Sequence, residues 1–261
     1  MKNYLNKIIN KSRLLLLCCM IAVTSSCKKN EKVTEEPVLS TRNEKIISYL
    51  AGKGFDKEQI VFQSDRIIVE KDIIFTNEDI AERMENDKPT DPDQPQTEHW
   101  RSNYLVSNTY NTNVKLWIEP GVPDSWVAAV AGAVNNWNAM NGTKLGMSIV
   151  STQAAANTRV FMGFESANWI ARAYLPASNG RPGVSVEINS NYNSLAASSK
   201  LFAITHELGH TVGFYHTNQN TGIFITGTPT VDANSVMNSF VLPWNGFTAG
   251  DILATGILYP L

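Results

Sequence analysis

The sequence predicts an α+β fold in which a small α/β N-terminal module precedes a mixed, twisted sheet with packed helices. In the second part of the chain, strand and helix patterns follow the order β-α-β-β-β-α, which favours a mixed sheet covered by two helices. Positions 28–98 carry 28 charged residues, whereas the longer stretch 99–261 carries only 14. Such a change in charge density indicates two structural units rather than one.

The first 26 residues have the features of an export signal. Four basic residues precede an apolar run over 14–23, about half of the roughly 20 residues that a membrane-spanning helix needs. Small residues then precede Cys27, an arrangement that resembles the lipobox of bacterial lipoproteins. We therefore expect 1–26 to be a lipoprotein signal peptide and Cys27 to be lipidated, which would anchor the exported protein in the periplasm or at the cell surface. A cleaved signal that leaves a free thiol is the alternative.

Composition excludes several classes of function. The three cysteines all lie at or before position 27, so neither a disulfide nor a thiolate site is expected in the rest of the chain. A net charge of −2 offers no basic face for nucleic acid. No later segment is long and apolar enough to span a membrane, so membrane contact is expected through the lipid anchor only.

The mature chain divides into four predicted segments. Residues 27–42 are a solvated tether, and residues 43–86 form the N-terminal module. A linker with three prolines follows over 87–98. The larger C-terminal domain then extends over 99–261. Because about fifty residues form only a marginally stable unit, we expect the module to dock on this domain.

Each unit has its own pattern of elements. In the module, helical spacing ended by glycines predicts a helix over 43–50, β-rich runs predict two strands, at 66–70 and 72–76, and Asn77 is the expected N-cap of a helix to position 84. In the C-terminal domain, alternating or β-rich runs predict strands over 114–119, 147–151, 159–165 and 183–190. Helices are predicted there over 123–140 and 195–212. We expect the run 184–189 to be an edge strand that pairs with an extended substrate, with an ordinary internal strand as the alternative.

Three of the four histidines fall in one stretch of eleven residues, which covers the end of the second of these helices and the residues that follow it. His206 and His210 are four positions apart, so they share one helix face and can bind one ion. Glu207 reaches the edge of the same site, where a carboxylate can accept a proton from an attacking water. Gly213 is expected to end the helix in a left-handed conformation and return His216 as a third ligand. Three imidazoles leave one tetrahedral position open, which is typical of a catalytic zinc site.

These residues match the pattern H-E-x-x-H-x-x-G-x-x-H, which resembles the signature of the metzincin metallopeptidases at every fixed position. The chain is similar to the bacterial dual-action HEIGH metallopeptidases, with Leu208 in place of isoleucine. The resemblance implies a metzincin-like zincin catalytic domain that hydrolyses protein or peptide. It further implies one catalytic Zn²⁺ held by His206, His210 and His216, with Glu207 as general base.

Later features extend the resemblance toward the end of the chain. Metzincins carry a methionine turn beneath the metal, and Met237 is its candidate. Thr248 and Asp251 have the spacing of a capping box at the start of a closing C-terminal helix. The resemblance also places the apolar segment 240–247 in the wall of the pocket that receives the side chain after the cleaved bond. Acidic residues are too few in 99–261 to predict a calcium site.

The sequence Glu70-Lys71-Asp72-Ile73 resembles the astacin pro-segment motif whose aspartate caps the zinc, although Lys71 stands where that motif has glycine. This resemblance makes Asp72 a candidate cap and residues 43–86 a possible inhibitory pro-segment. A docking or spacer module is the alternative.

The sequence therefore predicts a zinc-dependent endopeptidase. Two other functions remain open at this point. One is a non-enzymatic surface lipoprotein that binds peptide or glycan through the aromatic residues near its C-terminus. The other is a zinc hydrolase that acts on a substrate other than peptide.

Overall fold

The computed structural model describes residues 36–87 and 99–261. Its five described helices are α1 (Glu36–Gly52), α2 (Asn77–Asn86), α3 (Asp124–Asn138), α4 (Ala197–Thr211) and α5 (Ala249–Leu258). The described strands of the N-terminal module are β1 (Ile60–Phe62), β2 (Arg66–Val69) and β3 (Ile73–Thr76). Those of the C-terminal domain are β4 (Trp100–Arg101), β5 (Val114–Ile118), β6 (Met147–Ile149), β7 (Thr158–Gly163), β8 (Ala171–Tyr174), β9 (Ser185–Asn189) and β10 (Ile223–Phe224).

One eight-stranded mixed sheet joins the module to the C-terminal domain, in the order β1-β2-β3-β8-β9-β7-β5-β6. The module supplies the first three strands, which pair antiparallel with one another. Strand β3 then pairs in parallel with β8, with Ile73 opposite Ala173 and Ile74 opposite Tyr174. Strand β8 is antiparallel to β9, and the remaining pairs are parallel. The short strands β4 and β10 form a separate antiparallel pair.

Helices α3 and α4 pack against each other and cover this sheet. Both are rich in buried apolar side chains, among them Trp137 on α3 and Leu208 on α4. Helix α4 also contacts β8 and β9, so the end of this helix lies beside the strand to which the module is paired. The predicted α+β class with a mixed sheet is confirmed.

The module differs from its predicted boundaries in three ways. Helix α1 begins at Glu36 rather than 43, so residues 36–42 are helical although we expected them in the tether. The N-cap of α2 is Thr76 rather than Asn77, since the Thr76 hydroxyl accepts from the Asp79 N–H at 2.9 Å. Strand β1 was not predicted.

In the C-terminal domain the predicted strands and helices are present, but the predicted edge strand is wrong. The run 184–189 lies mostly in β9, which is fully buried between β7 and β8. The unpredicted strand β8 is instead the outermost strand that this domain contributes on that side. The edge of β8 that no other strand of this domain occupies pairs with β3 of the module.

The predicted signal peptide, Cys27 and linker positions 88–98 lie outside the described residues. Within the part of the chain that is described, none of the helices has the length and hydrophobicity needed to cross a membrane.

Candidate active site

Helix α4 and the turn that follows it carry the three histidines of the motif. His206 and His210 lie one helical turn apart and are buried, at 4% and 0% exposed. Gly213 has a φ of 105°, which confirms the predicted left-handed residue at the end of the helix. A side chain there would also meet Leu105 and the Tyr104 carbonyl. This turn brings His216, also fully buried, back beside the helix.

The three imidazoles converge on one point. The Nε2 atoms of His206 and His216 lie 3.3 Å apart. Ligand atoms from His206, His210, His216 and Asp72 all lie within 4.8 Å of one another. The structure therefore brings together all three histidines that the sequence analysis selected, and adds Asp72 to them.

Hydrogen bonds from the other ring nitrogens fix the direction of each imidazole. The Nδ1–H of His206 donates to the Val236 carbonyl at 2.7 Å, and that of His210 donates to the Phe214 carbonyl at 2.8 Å. The Nδ1 of His216 lies 2.7 Å from the Glu70 carboxylate of the module. With each Nδ1 held in this way, each Nε2 faces the centre of the cluster and is the atom through which a neutral imidazole would bind a metal.

Two carboxylates of the module reach this cluster from the hairpin between β2 and β3. Asp72 Oδ2 lies 3.2 Å from His216 Nε2 and 3.7 Å from His206 Nε2. Glu70 contacts the opposite nitrogen of the His216 ring. The backbone carbonyl of Asp72 accepts from the Ala173 N–H of β8 at 2.7 Å, which ties the hairpin to the edge of the sheet.

The charges of this site stabilise one another. Burial alone would lower the pKa of His216, but the carboxylates of Asp72 and Glu70 raise it to about 10. Burial lowers the pKa of His210 well below its ordinary value, and its two neighbouring histidines lower it further. Burial likewise raises the pKa of Glu207 well above its ordinary value, with the Asp72 carboxylate adding to the effect. The Asp72 and Glu70 carboxylates therefore balance a protonated His216, whereas burial favours the neutral forms of His210 and Glu207.

The donor set fits zinc. His210 Nε2, Asp72 Oδ1 and Glu207 Oε2 are buried and have no hydrogen-bond partner among the described residues. Such groups are costly unless something satisfies them. Imidazole nitrogens with one carboxylate oxygen are ordinary zinc ligands, and a divalent cation among them would satisfy the atoms that face the centre of the cluster.

The Met-turn candidate, Met237, is buried against helix α4. Met237 is 2% exposed, and its Sδ packs so closely on Gly209 of α4 that a side chain at position 209 would overlap it. The turn is held by Asp251 of α5, whose carboxylate accepts from the Ser235 hydroxyl at 2.6 Å and the Val236 N–H at 3.1 Å. The predicted capping box of Thr248 and Asp251 is present as well.

Sequence reasoning missed part of this arrangement. Glu70 was quoted only as a member of a motif, and Gly209 and Asp251 received no role at the site. Gly209 occupies a variable position of the histidine pattern, so the motif contained no signal for it. The spacing of Thr248 and Asp251 predicted a helix cap. It did not predict that Asp251 also contacts Ser235 and Val236 in the turn that contains Met237.

A cleft of about 280 Å³ opens beside the cluster and is partly filled by the module hairpin. Its walls include Trp169, Phe202, Phe240 and Val241. Of the segment 240–247, only the first two residues line this cleft. Trp244 and Phe247 line a different cavity, and Phe247 packs on Trp137 with ring centroids 4.8 Å apart.

The helix that carries the histidine motif and the converging imidazoles define a metallopeptidase. A family model described as the dual-action HEIGH metallo-peptidases matches residues 67–221. The chain belongs to this family.

Two solved structures are also similar to this chain. The crystal structure of myroilysin has a TM-score of 0.43 and 12% identity, covering 66% of this chain and 94% of that one. High choriolytic enzyme 1, a hatching-enzyme zinc protease from the medaka fish Oryzias latipes, has a TM-score of 0.38 and 18% identity, covering 60% of this chain and 93% of that one. No curated protein matches the chain.

Proposed function

We propose that the protein is a zinc-dependent endopeptidase in which His206, His210 and His216 hold the metal and Glu207 is the general base. The observation that carries this proposal is the convergence of three buried histidines at the base of a cleft that Glu207 also lines. Phe202 and Val241 line the same cleft and offer an apolar subsite for a substrate side chain.

Zinc, when bound, would polarise the scissile carbonyl and lower the pKa of the attacking water. Glu207 would accept the proton of that water and deliver it to the leaving amine. Its Oε2 atom is buried and has no hydrogen-bond partner among the described residues, so this oxygen can accept the proton once the carboxyl group is ionised. Because the carboxylate is buried, it would transfer the proton without competition from bulk water.

Strand β8 is the edge on which we propose that the substrate binds. Its backbone groups face the open side of the C-terminal domain, and in this structure they pair with β3. An extended peptide could form the same kind of pairing once β3 has left. The module and the substrate would then compete for one strand edge.

We further propose that the N-terminal module keeps the enzyme latent. Asp72 supplies a carboxylate oxygen beside the Nε2 atoms of His206 and His216, at the position where a catalytic zinc site is open. Since Glu70 and Lys71 also line the cleft, the hairpin would obstruct it, and Asp72 would cap a metal held by the histidines. The linker 87–98 is the segment where cleavage would release the module.

Export and anchoring are proposed from the sequence of the first 27 residues. Lipidation at Cys27 would hold the enzyme at a membrane surface. We expect metabolic labelling with a fatty acid to mark the wild-type protein but not Cys27→Ala. Equal labelling of the two would contradict the lipoprotein assignment.

The general-base role is tested by mature protein spanning residues 28–261, assayed with casein and a quenched-fluorescent peptide library. We expect Glu207→Gln to lower the rate by about 10²- to 10⁴-fold, because the substitution removes the proton acceptor but preserves its shape. Chelation should abolish wild-type activity, and added zinc should restore it. Elemental analysis of both proteins is the control, since equal zinc content separates loss of the base from loss of the metal. A Glu207→Gln enzyme with wild-type activity would contradict the role of Glu207.

Latency is tested by Asp72→Ala in the same protein. Removing the capping carboxylate should raise basal proteolysis by about 5- to 150-fold, the range of ordinary intramolecular coupling. Asp65→Ala is the matched control, because Asp65 is an exposed aspartate of the same module. Unchanged activity of Asp72→Ala would leave Asp72 without an inhibitory role.

A further inference from the structure

We infer that Glu70 is a positioning residue that orients His216 for the metal, so that tight zinc retention depends on the N-terminal module. The inference rests on the proposed role of the three histidines as metal ligands. Its direct observation is the 2.7 Å contact between His216 Nδ1 and Glu70 Oε2. Both side chains are buried in this pair, at 0% and 3% exposed.

The three histidines differ in what holds them. His206 and His210 donate to backbone carbonyls of Val236 and Phe214, which belong to the same domain as the histidines. Their orientation therefore does not depend on the module. His216 bonds instead to a side chain 146 positions earlier in the chain, on the far side of the linker. Departure of the module would remove this partner from His216 alone.

The hairpin between β2 and β3 contacts both nitrogens of the His216 ring. Glu70 lies at Nδ1, and Asp72, two positions later, lies 3.2 Å from Nε2. Val69 and Ile73 are paired on either side of the turn, which fixes its ends. Glu70 and Lys71 have φ values of 52° and 80°, a conformation that residues other than glycine seldom adopt. Such backbone persists where surrounding contacts over-determine it, and the contacts of Glu70 and Asp72 with His216 supply that constraint.

The two carboxylates have different functions in this scheme. Asp72 faces the nitrogen that would bind metal, so it acts on the open coordination position. Glu70 faces the nitrogen that holds the proton, so it fixes the tautomer and the plane of the ring. Carboxylates in this second position commonly change metal affinity by about 10- to 100-fold. The uncleaved chain would therefore bind zinc more tightly than the enzyme after the module has been released.

The inference is tested on the full mature chain, residues 28–261, by competition for zinc with a chromophoric chelator. We expect Glu70→Ala to raise the zinc dissociation constant by about 10- to 100-fold, since the His216 ring loses its partner. Glu70→Gln should restore much of the affinity, because an amide oxygen still accepts the Nδ1–H hydrogen bond. Glu58→Ala is the matched control, as Glu58 is an exposed glutamate of the same module.

A second measurement separates positioning from loss of structure. Cobalt-loaded protein should show an altered visible spectrum in Glu70→Ala and a nearly wild-type spectrum in Glu70→Gln, with both variants retaining the wild-type thermal transition. Zinc affinity of Glu70→Ala within threefold of wild type would overturn the inference while leaving the proposed function intact. Equal loss of affinity in Glu70→Ala and Glu70→Gln would also overturn it. If His206→Ala and His210→Ala left zinc affinity unchanged, the proposed function itself would fail.

Discussion

The C-terminal domain and the N-terminal module build their hydrophobic cores from different sources. The main core consists of buried side chains between Val106 and Tyr259, all within the C-terminal domain. The second core lies beneath the module and combines eight buried module residues with Trp100, Leu175 and Tyr215 of the C-terminal domain. Phe55 of the module, for example, packs edge-on against Tyr215 with ring centroids 5.3 Å apart. The C-terminal domain is thus complete in itself, whereas the module depends on its neighbour.

This asymmetry is consistent with the proposed latency, in which the module inhibits the domain on which it docks. A module of about fifty residues buries too little apolar surface to be stable alone. Docking stabilises it, and the same docking directs Glu70 and Asp72 toward the histidines. Release of the module would therefore remove its fold and the proposed inhibition together, while the main core of the C-terminal domain stayed intact.

The largest effect is expected from a cavity in the main core, at Trp137 of α3. This side chain is 1% exposed, donates to the Thr205 carbonyl of α4 at 3.1 Å, and stacks on Phe214. Trp137→Ala should destabilise the protein by about 3–5 kcal/mol. Because the module depends on the domain, both should lose protection from hydrogen exchange together.

Trp244→Ala is the matched control, since Trp244 is only partly buried at the edge of the same core. We expect it to have a clearly smaller effect on urea denaturation. A Trp137→Ala protein in which the module keeps its native protection while the domain loses it would contradict the dependence of one on the other.

An intermediate effect is expected at Arg83, a buried cation of α2 that fastens the module to the domain. Its guanidinium donates to Asp79 at 2.9 Å, to the Ser102 hydroxyl at 2.9 Å and to the Pro176 carbonyl at 2.7 Å. Arg83→Ala should weaken docking by about 3 kcal/mol, because it leaves these acceptors without their donor. Hydrogen exchange should then increase in the module and not in the C-terminal domain.

Arg42→Ala provides the comparison for Arg83, because Arg42 is an exposed arginine of the same module that donates only to Asn77 among the bonds described. Arg42→Ala should change the free energy of docking little, as expected for a surface contact. If Arg83→Ala also unfolded the C-terminal domain, the main core of that domain would not be stable independently of the module.

The sequence predicted the features that depend on local signals. The left-handed Gly213, the capping box of Thr248 and Asp251, and the one-turn spacing of His206 and His210 each involve residues close in the chain. For the same reason the helices and most strands were found. Such signals are set by backbone sterics and nearby hydrogen bonds, which a single sequence records.

Features that depend on distant contacts were missed or misplaced. Strand β8 contains Arg172, whose burial is made possible by its ion pair with Glu187 on the neighbouring strand, so the run lacks the apolar pattern of a buried strand. The edge position was assigned to the run 184–189 because alternation along a strand does not say which strands flank it. Glu70 received no role because its partner, His216, is 146 positions away.

The smallest effect is expected at Arg66 of β2, which reaches across to the C-terminal domain. Its guanidinium lies 2.7 Å from the Glu187 carboxylate, which Arg172 of the domain also contacts at 2.9 Å. Arg66→Ala should weaken docking by about 1 kcal/mol, much less than the change at Arg83, because Glu187 keeps its second partner. Arg159→Ala is the matched control, since Arg159 pairs with Glu119 inside the domain.

The effect at Arg66 should also depend on pH in a defined direction. Burial alone would raise the pKa of Glu187, but hydrogen bonds and charges from Arg172 and Arg66 hold it below its ordinary value. A lowered pKa means that the carboxylate stabilises the docked state above the ordinary glutamate range and loses this effect as the pH falls through the folded-state pKa. The hydrogen-exchange rates of the module should therefore differ between wild type and Arg66→Ala at pH 7 and become similar in acid. The prediction would be contradicted if this difference in hydrogen exchange were as large as that caused by Arg83→Ala, or if it grew in acid. Glu187 would then depend on the module for its charge partner, and the C-terminal domain would be less self-contained than its core indicates.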